Sequence, residues 1–203
     1  MTEPLVVAID GPAGSGKSTV ARAVAARLGL EVLDTGSMYR AVTSLAIRAG
    51  VDPHDTDKVT ILAREADLGV GERVTAGGVD LTDTLRTDAV NDTVSVVASI
   101  PAVRRELVER QRAWVAEHGG GVVEGRDIGS VVFPRAAVKV YLTASHTERA
   151  RRRGEEAPES VARRDLLDGG RTVSPLVVAS DAHVLDTTDR AIDDVVEEIL
   201  SWL

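Results

Sequence analysis

From Leu5 onward the chain alternates short apolar runs with helically spaced apolar positions. Leu5–Asp10 is an apolar run that predicts the first strand. Lys17–Leu28 carries Val and Ala at helical spacing, and Gly29 is placed to end it. Residues 31–34 predict a second, short strand, and residues 36–49 a second helix closed by Gly50. The middle breaks this rhythm. Residues 68–75 and 78–81 predict strands around a hairpin at Ala76, Gly77 and Gly78, followed by helices over 87–99 and Pro101–His118, the latter with proline in its first turn. Residues 121–124 and Val138–Thr143 return as buried strands. Residues 147–153 and 159–167 predict short charged helices, 184–186 a last strand, and 189–202 a closing amphipathic helix. Strands alternating with helices predict an α/β fold, three layers (α/β/α) around a five-stranded parallel sheet. In that scheme the whole chain is one unit: a core of about 1–59 and 119–203, an insertion at about 60–118, and an arginine-rich lid at about 147–171.

Composition narrows the class. A chain of 203 residues buries roughly 70% of its unfolded surface and needs no disulfide staples. Cysteine is absent, which excludes disulfides, thiolate zinc sites and thiol catalysis and fits the cytosol. The first residues lead straight into a strand, with no leader pattern, and every apolar run falls far short of the roughly 20 residues of a membrane span. The expectation is a soluble, cytoplasmic protein, monomeric because no long exposed apolar stripe is visible. A net charge of −8 argues against a nucleic-acid binder. The cations are nonetheless uneven: lysine occurs only at 17, 58 and 139, while arginines gather at 149 and 151–153 and at 163, 164 and 171. Such a cluster suits anion capture, since a guanidinium matches phosphate bidentately, or it is a solvated helix face.

The sharpest motif is Gly11, Pro12, Ala13, Gly14, Ser15, Gly16, Lys17, Ser18 and Thr19, which fits G-x-x-x-x-G-K-[ST] between a strand and a helix. Glycines let backbone N–H groups turn inward on phosphate oxygens, and the following helix adds its positive end. Lys17 is the residue to reach the β- and γ-phosphates of ATP, and the Ser18 hydroxyl the one to hold Mg²⁺. No guanine-reading Asn/Thr-Lys-x-Asp element accompanies it, and neither strand 121–124 nor Val138–Thr143 ends in a Walker B aspartate. A small-molecule kinase remains, and it needs an acceptor site. Thr35, Tyr39 and Arg40, after the second strand, offer a hydroxyl, a phenol and a guanidinium; Asp34 or Thr35 is alternatively a plain helix N-cap and Arg40 a surface residue. Arg126 and Asp127 stand between glycines at the end of the third core strand, as site residues or as a structural ion pair. Arg164 and Asp168 share a helix face at i, i+4, again a site or an ion pair, and Gly169–Gly170 precede Arg171.

Together, G-P-A-G-S-G-K-S-T, L-D-T-G-S-M-Y-R, E-G-R-D-I-G-S-V-V-F-P and R-D-x-x-D-x-x-R-x-x-S-P-L, in this order over about residues 5–200, resemble the bacterial cytidylate kinase family. The resemblance implies a P-loop nucleoside monophosphate kinase that moves a phosphoryl group from Mg²⁺-ATP to CMP or dCMP. It implies that Thr35, Tyr39 and Arg40 line the CMP site, that Ser95, Arg104, Arg126 and Asp127 read cytosine or hold its phosphate, and that Arg164 and Asp168 hold the ribose. Arg171 would bridge toward the phosphates, and Arg152 or Arg153 would balance the charge of the transferring group. A carboxylate at 127 accepts from the cytosine amine and repels the uracil carbonyl, while Arg104 donates to N3 and O2. Thr35 replaces the serine usual in the family and keeps the hydroxyl, and the lid between Arg153 and Arg164 is shorter than in longer members. With 2% aromatic residues, adenine is left to an arginine plane or apolar side chains rather than a ring. The alternatives are another small P-loop kinase, for UMP, AMP or a shikimate-type acceptor, or a nucleotide-binding regulator without turnover.

Overall fold

A computed structural model describes residues 4–71, 73–153 and 177–203. The chain divides into two compact units, residues 1–33 with 112–203, and Asp34–Gln111. Residues 154–176, which include the helix expected over 159–167, lie outside the described residues.

The first unit is built on a five-stranded parallel sheet in the order β2-β6-β1-β7-β8, with β1 Leu5–Asp10, β2 Val32–Asp34, β6 Gly120–Gly125, β7 Val138–Thr143 and β8 His183–Asp186. β1 lies at its centre. Its residues pair in parallel register with β6 from Leu5↔Gly120 to Asp10↔Gly125, and with β7 from Val7↔Val138 to Asp10↔Tyr141. Alternation along each strand sorts the side chains. Val7, Ile9, Val122, Val140, Leu142 and Leu185 form one core with helices α1 (Lys17–Leu28) and α7 (Ile192–Leu200). Each such aliphatic side chain contributes about 1.5–3 kcal/mol when fully buried. On the opposite parity, Asp10 and Lys139 meet a wide π-type turn, Ile128–Val132. Trp114, on the part of helix α5 (Pro101–His118) that belongs to this unit, packs so close to Gly121 that a Cβ there would stand 2.8 Å from its ring. Because the strands run parallel, β1, β6, β7 and β8 all end on one edge of the sheet, and the loops that follow them are neighbours there.

The second unit opens with α2 (Thr35–Arg48) and α3 (Thr56–Glu65), then a three-stranded antiparallel sheet in the order β3-β4-β5. Its strands are Leu68–Val70, Val74–Ala76 and Val79–Asp80. Gly77 and Gly78, at φ 56° and 77°, make the two-residue hairpin that the sequence predicts. The run read as one strand over 68–75 folds as two, since Val70 pairs with Val74 across a second reversal. A 3₁₀ turn, Thr82–Thr84, leads into α4 (Asp88–Val97) and α5 (Pro101–His118), whose residues up to Gln111 belong here. Ala41, Val74, Ala76, Leu81 and Leu85 form its core. The sequence reading had no helix at α3; Asp55 caps it, accepting from the Lys58 N–H at 3.1 Å. This unit begins earlier than the insertion drawn at about 60–118, because α2 supplies Ala41 to the core that β4 and Leu85 complete. Among the described residues no helix is long and apolar enough to cross a membrane.

Candidate active site

The loop Gly11–Thr19 leaves β1 and enters α1 through backbone that only glycine adopts readily. Gly11 has φ 149°, and a Cβ on it would lie 2.1 Å from the Leu142 carbonyl oxygen. Gly14 has φ 77°, with the Arg149 carbonyl 2.7 Å from the same hypothetical atom. The loop is therefore pressed against the end of β7 and the middle of α6 (His146–Arg153). Pro12, Ala13 and Ser15 are buried, Lys17 and Ser18 half-buried, and Thr19 exposed. Lys17 Nζ donates to the Pro12 carbonyl at 2.8 Å. The Ser15 hydroxyl is fully buried and has no hydrogen-bond partner among the described residues.

Helix α6 and the residue after β8 hold this loop from outside. Arg149, buried, donates to Ala13 O at 3.1 Å. Arg152 donates from Nη1 to Thr187 Oγ1 at 2.9 Å, from Nη2 to Thr187 O at 2.7 Å, and from Nε to Glu148 at 2.8 Å. A Cβ on Gly16 would stand 3.4 Å from Arg152 Nη1, so the guanidinium adjoins the loop. Thr187 Oγ1 in turn lies 3.1 Å from both Ser15 O and Thr143 O. Arg151 and Arg152 beside Glu148 hold its carboxyl down to about 2. Arg153 ends α6, but the role assigned to its side chain lies outside what is described, as do Arg164, Asp168 and Arg171.

Beyond β6, Arg126 Nη1 donates to Gly11 O at 2.7 Å, so this residue too reaches the phosphate loop. Asp127 is buried, and its carbonyl accepts from Val131 and Val132 across the π-type turn. Asp10, the last residue of β1, accepts from the Ile128 and Gly129 N–H groups, both at 2.7 Å. Burial pushes the Asp10 carboxyl up to about 6 against the pull of those two N–H groups; Asp127 nearby adds to the rise and Lys17 opposes it.

In the second unit, Asp34 is the N-cap of α2: its carboxylate accepts from Ser37 N at 3.1 Å. Thr35 and Tyr39 follow on one helical face, both buried. Arg40 is a bonded residue rather than a free surface one, Nη1 donating to Leu85 O at 2.8 Å and to Asn91 Oδ1 at 2.7 Å. Asn91 is oriented by its own donation to Arg86 O at 3.0 Å. Arg104, buried, lays its guanidinium carbon 5.4 Å from the Tyr39 ring centroid and donates to Ala98 O at 3.3 Å. Ser95 is buried one turn beyond Asn91 on α4. The structure thus groups Lys17, Ser18, Arg126, Asp127 and Arg152 in the first unit, and Thr35, Tyr39, Arg40, Ser95 and Arg104 in the second.

Asp10, Asn91, Arg149 and Thr187 were not singled out in the sequence as site residues. Arg149 stands in the arginine cluster and Asp10 is the lone charge closing an apolar strand; nothing near Asn91 or Thr187 marks them.

The sequence model of the cytidylate kinase family matches residues 7–203. The cytidylate kinase of Geobacillus kaustophilus is 46% identical over 217 aligned residues, covering 98% of this chain and 96% of the relative. That of Mycobacterium avium is also 46% identical, over 98% of this chain and 95% of its own. Among solved structures, TT1252 from Thermus thermophilus superposes with a TM-score of 0.51 at 23% identity, over 100% of this chain and 99% of the other. A gluconokinase from Sinorhizobium meliloti does so with a TM-score of 0.53 at 15% identity, over 100% and 93%. The structures share the fold; the matching sequence over nearly the whole length is decisive, and the chain belongs to the cytidylate kinase family.

Proposed function

We propose that the chain transfers the γ-phosphoryl group of ATP to CMP or dCMP, giving ADP and CDP or dCDP. The observation that carries this reading is the family match over residues 7–203, on a chain whose Gly11–Thr19 loop has the glycine-dependent shape of a phosphate cradle. The donor set suits Mg²⁺-ATP: a hydroxyl at Ser18, an ammonium at Lys17 and a buried, unpartnered hydroxyl at Ser15. The Ser18 hydroxyl would hold Mg²⁺, which would supply positive charge against the phosphates of the donor.

Lys17 steadies the β/γ-phosphates in this reading. Arg152, already fixed by Thr187 and Glu148, presents a guanidinium that need not reorganise during transfer. The attacking oxygen belongs to a phosphate that is ionised at neutral pH, so no general base is required, and positioning carries the rate. Arg40 and Arg126 take the acceptor phosphate. Asp127 and Arg104 take the cytosine edge, with Thr35, Tyr39 and Ser95 completing the pocket. Arg164 and Asp168 hold the ribose, and Arg171 and Arg153 join in neutralising the transferring group. A cytoplasmic monomer with nucleotides as its partners belongs to the same reading.

The test is ADP release from Mg²⁺-ATP with CMP, dCMP, UMP, AMP and shikimate offered separately. Turnover of CMP and dCMP well above the rest is expected. Preference for another acceptor would keep the kinase and discard the roles given to Asp127 and Arg104. ADP formation with none would leave a nucleotide-binding regulator.

A further inference from the structure

β1 and β6 are adjacent and in register to their last residues, Asp10 opposite Gly125. Each then sends one side chain to the backbone of the other. Asp10 accepts from Ile128 N and Gly129 N at 2.7 Å each, and Arg126 donates to Gly11 O at 2.7 Å. The exchange is reciprocal: residues 10 and 11 hold 126, 128 and 129, with Asp127 inside the bracket. From its other side Gly129 is pressed by Lys139, whose methylenes lie 3.2–3.3 Å from where its Cβ would be. Lys139 is itself anchored on Asp181 at 2.7 and 2.9 Å.

A buried acid is a costly way to join two loops, and burial does oppose its ionisation. The chemistry of the gap explains the choice. Two N–H donors converge on one side chain, and only a carboxylate offers two acceptor oxygens and no donor. An amide of the same size would answer one N–H and turn its own NH₂ against the other.

We propose that Asp10 is a positioning residue for phosphoryl transfer, which sets Arg126 and Asp127 against the phosphate loop and so governs acceptor binding and base choice without touching either nucleotide. This rests on the reading above that Arg126 and Asp127 meet the acceptor. The bracket also explains why the turn can be short and irregular: Ile128–Val132 closes through Asp127 and Ile128 carbonyls, while its two leading N–H groups are tied to β1.

The experiment compares Asp10→Asn, isosteric with the native residue, with Val7→Ala, a core truncation in the same strand, each assayed well below its melting temperature. Amide proton shifts of Ile128 and Gly129 report directly whether their bonds have weakened. If Asp10 positions the acceptor residues, Asp10→Asn raises KM for CMP by about tenfold, the loss expected from one orphaned buried N–H. It also narrows the CMP-to-UMP ratio of kcat/KM and leaves KM for ATP near the wild-type value. Val7→Ala moves stability alone. An Asp10→Asn enzyme that lowers the melting temperature but keeps the CMP KM and the CMP-to-UMP ratio would overturn the inference, as would an equal rise in both KM values. A wild-type chain that does not turn over CMP fails earlier and differently, overturning the reading beneath it before any variant is made.

Discussion

The two sets of candidate residues, one in each unit, are built from different material. Around Gly11–Thr19 the chain works through its backbone: three glycines at positive φ, a carbonyl 2.1 Å from where a Cβ would be, and arginines that brace main-chain oxygens. In Asp34–Gln111 it works through side chains, with Arg40 held by Leu85 O and Asn91, and Arg104 laid over Tyr39. The backbone-built half tolerates almost no added atom at Gly11 or Gly14. The other half has room to lose atoms, and each loss removes a specific contact. A phosphate donor that is the same for every acceptor suits the first construction; contacts that must tell one acceptor from its near relatives suit the second.

The largest expected effect tests the intolerance. Gly11→Ala forces a Cβ into the Leu142 carbonyl at a backbone angle that alanine rarely adopts. Strain of about 1–3 kcal/mol and overpacking of similar size together predict a fall in kcat/KM of about 10²-fold or more. ATP titration should show the loss on the donor side. A Gly11→Ala enzyme with wild-type ATP binding would dissolve the distinction between the halves.

Arg40→Ala comes next and tests the other side. It removes the charge proposed to hold the acceptor phosphate, a cost of about 1.5–3 kcal/mol in acceptor binding, and it takes a donor from the Leu85 carbonyl and the Asn91 amide oxygen, a cost to stability. The expected result is a CMP KM raised about tenfold or more with the ATP KM unchanged. If both rise together, Arg40 serves the fold of its unit rather than the acceptor.

This difference in construction also decided what was legible in the sequence. The backbone-built half announces itself, since glycines at fixed spacing between an apolar strand and a helix have few other meanings. α1 and α5 were bounded as they fold because glycine ends one and proline starts the other. α3 went unread: its buried stripe is only Val59 and Ala63, too short to stand out, and its clearest signal was the capping Asp55. The break between β3 and β4 was hidden because Gly71 passed for a residue inside a strand. In the side-chain half, Tyr39 and Arg40 were legible as polar groups in the loop after the second strand, and Arg104 was reached through the resemblance. Asn91 was not, because its bond to Arg40 spans 51 residues of sequence. Asp10 and Thr187 were missed for the same reason, their bonds spanning 118 and 172 residues. Spacing reports partners a turn apart; it is silent on those brought together by helix packing or by the sheet.

The smallest effect separates local architecture from recognition. Asp34 stands just before Thr35, yet its carboxylate is spent on Ser37 N and Ser37 Oγ is spent on Asp34 O. These two bonds cap α2 and set where Thr35, Tyr39 and Arg40 begin their helical order. Asp34→Ala should therefore cost about 1 kcal/mol of stability, read by urea unfolding. Because the helix persists beyond its first turn, KM for CMP should move less than it does for Arg40→Ala. Asp34→Asn, which still offers a capping oxygen, should recover most of the loss. If the asparagine variant instead kept its stability and lost CMP binding, the carboxylate would belong to the acceptor site, and the line between capping and recognition on α2 would have to be drawn one residue earlier.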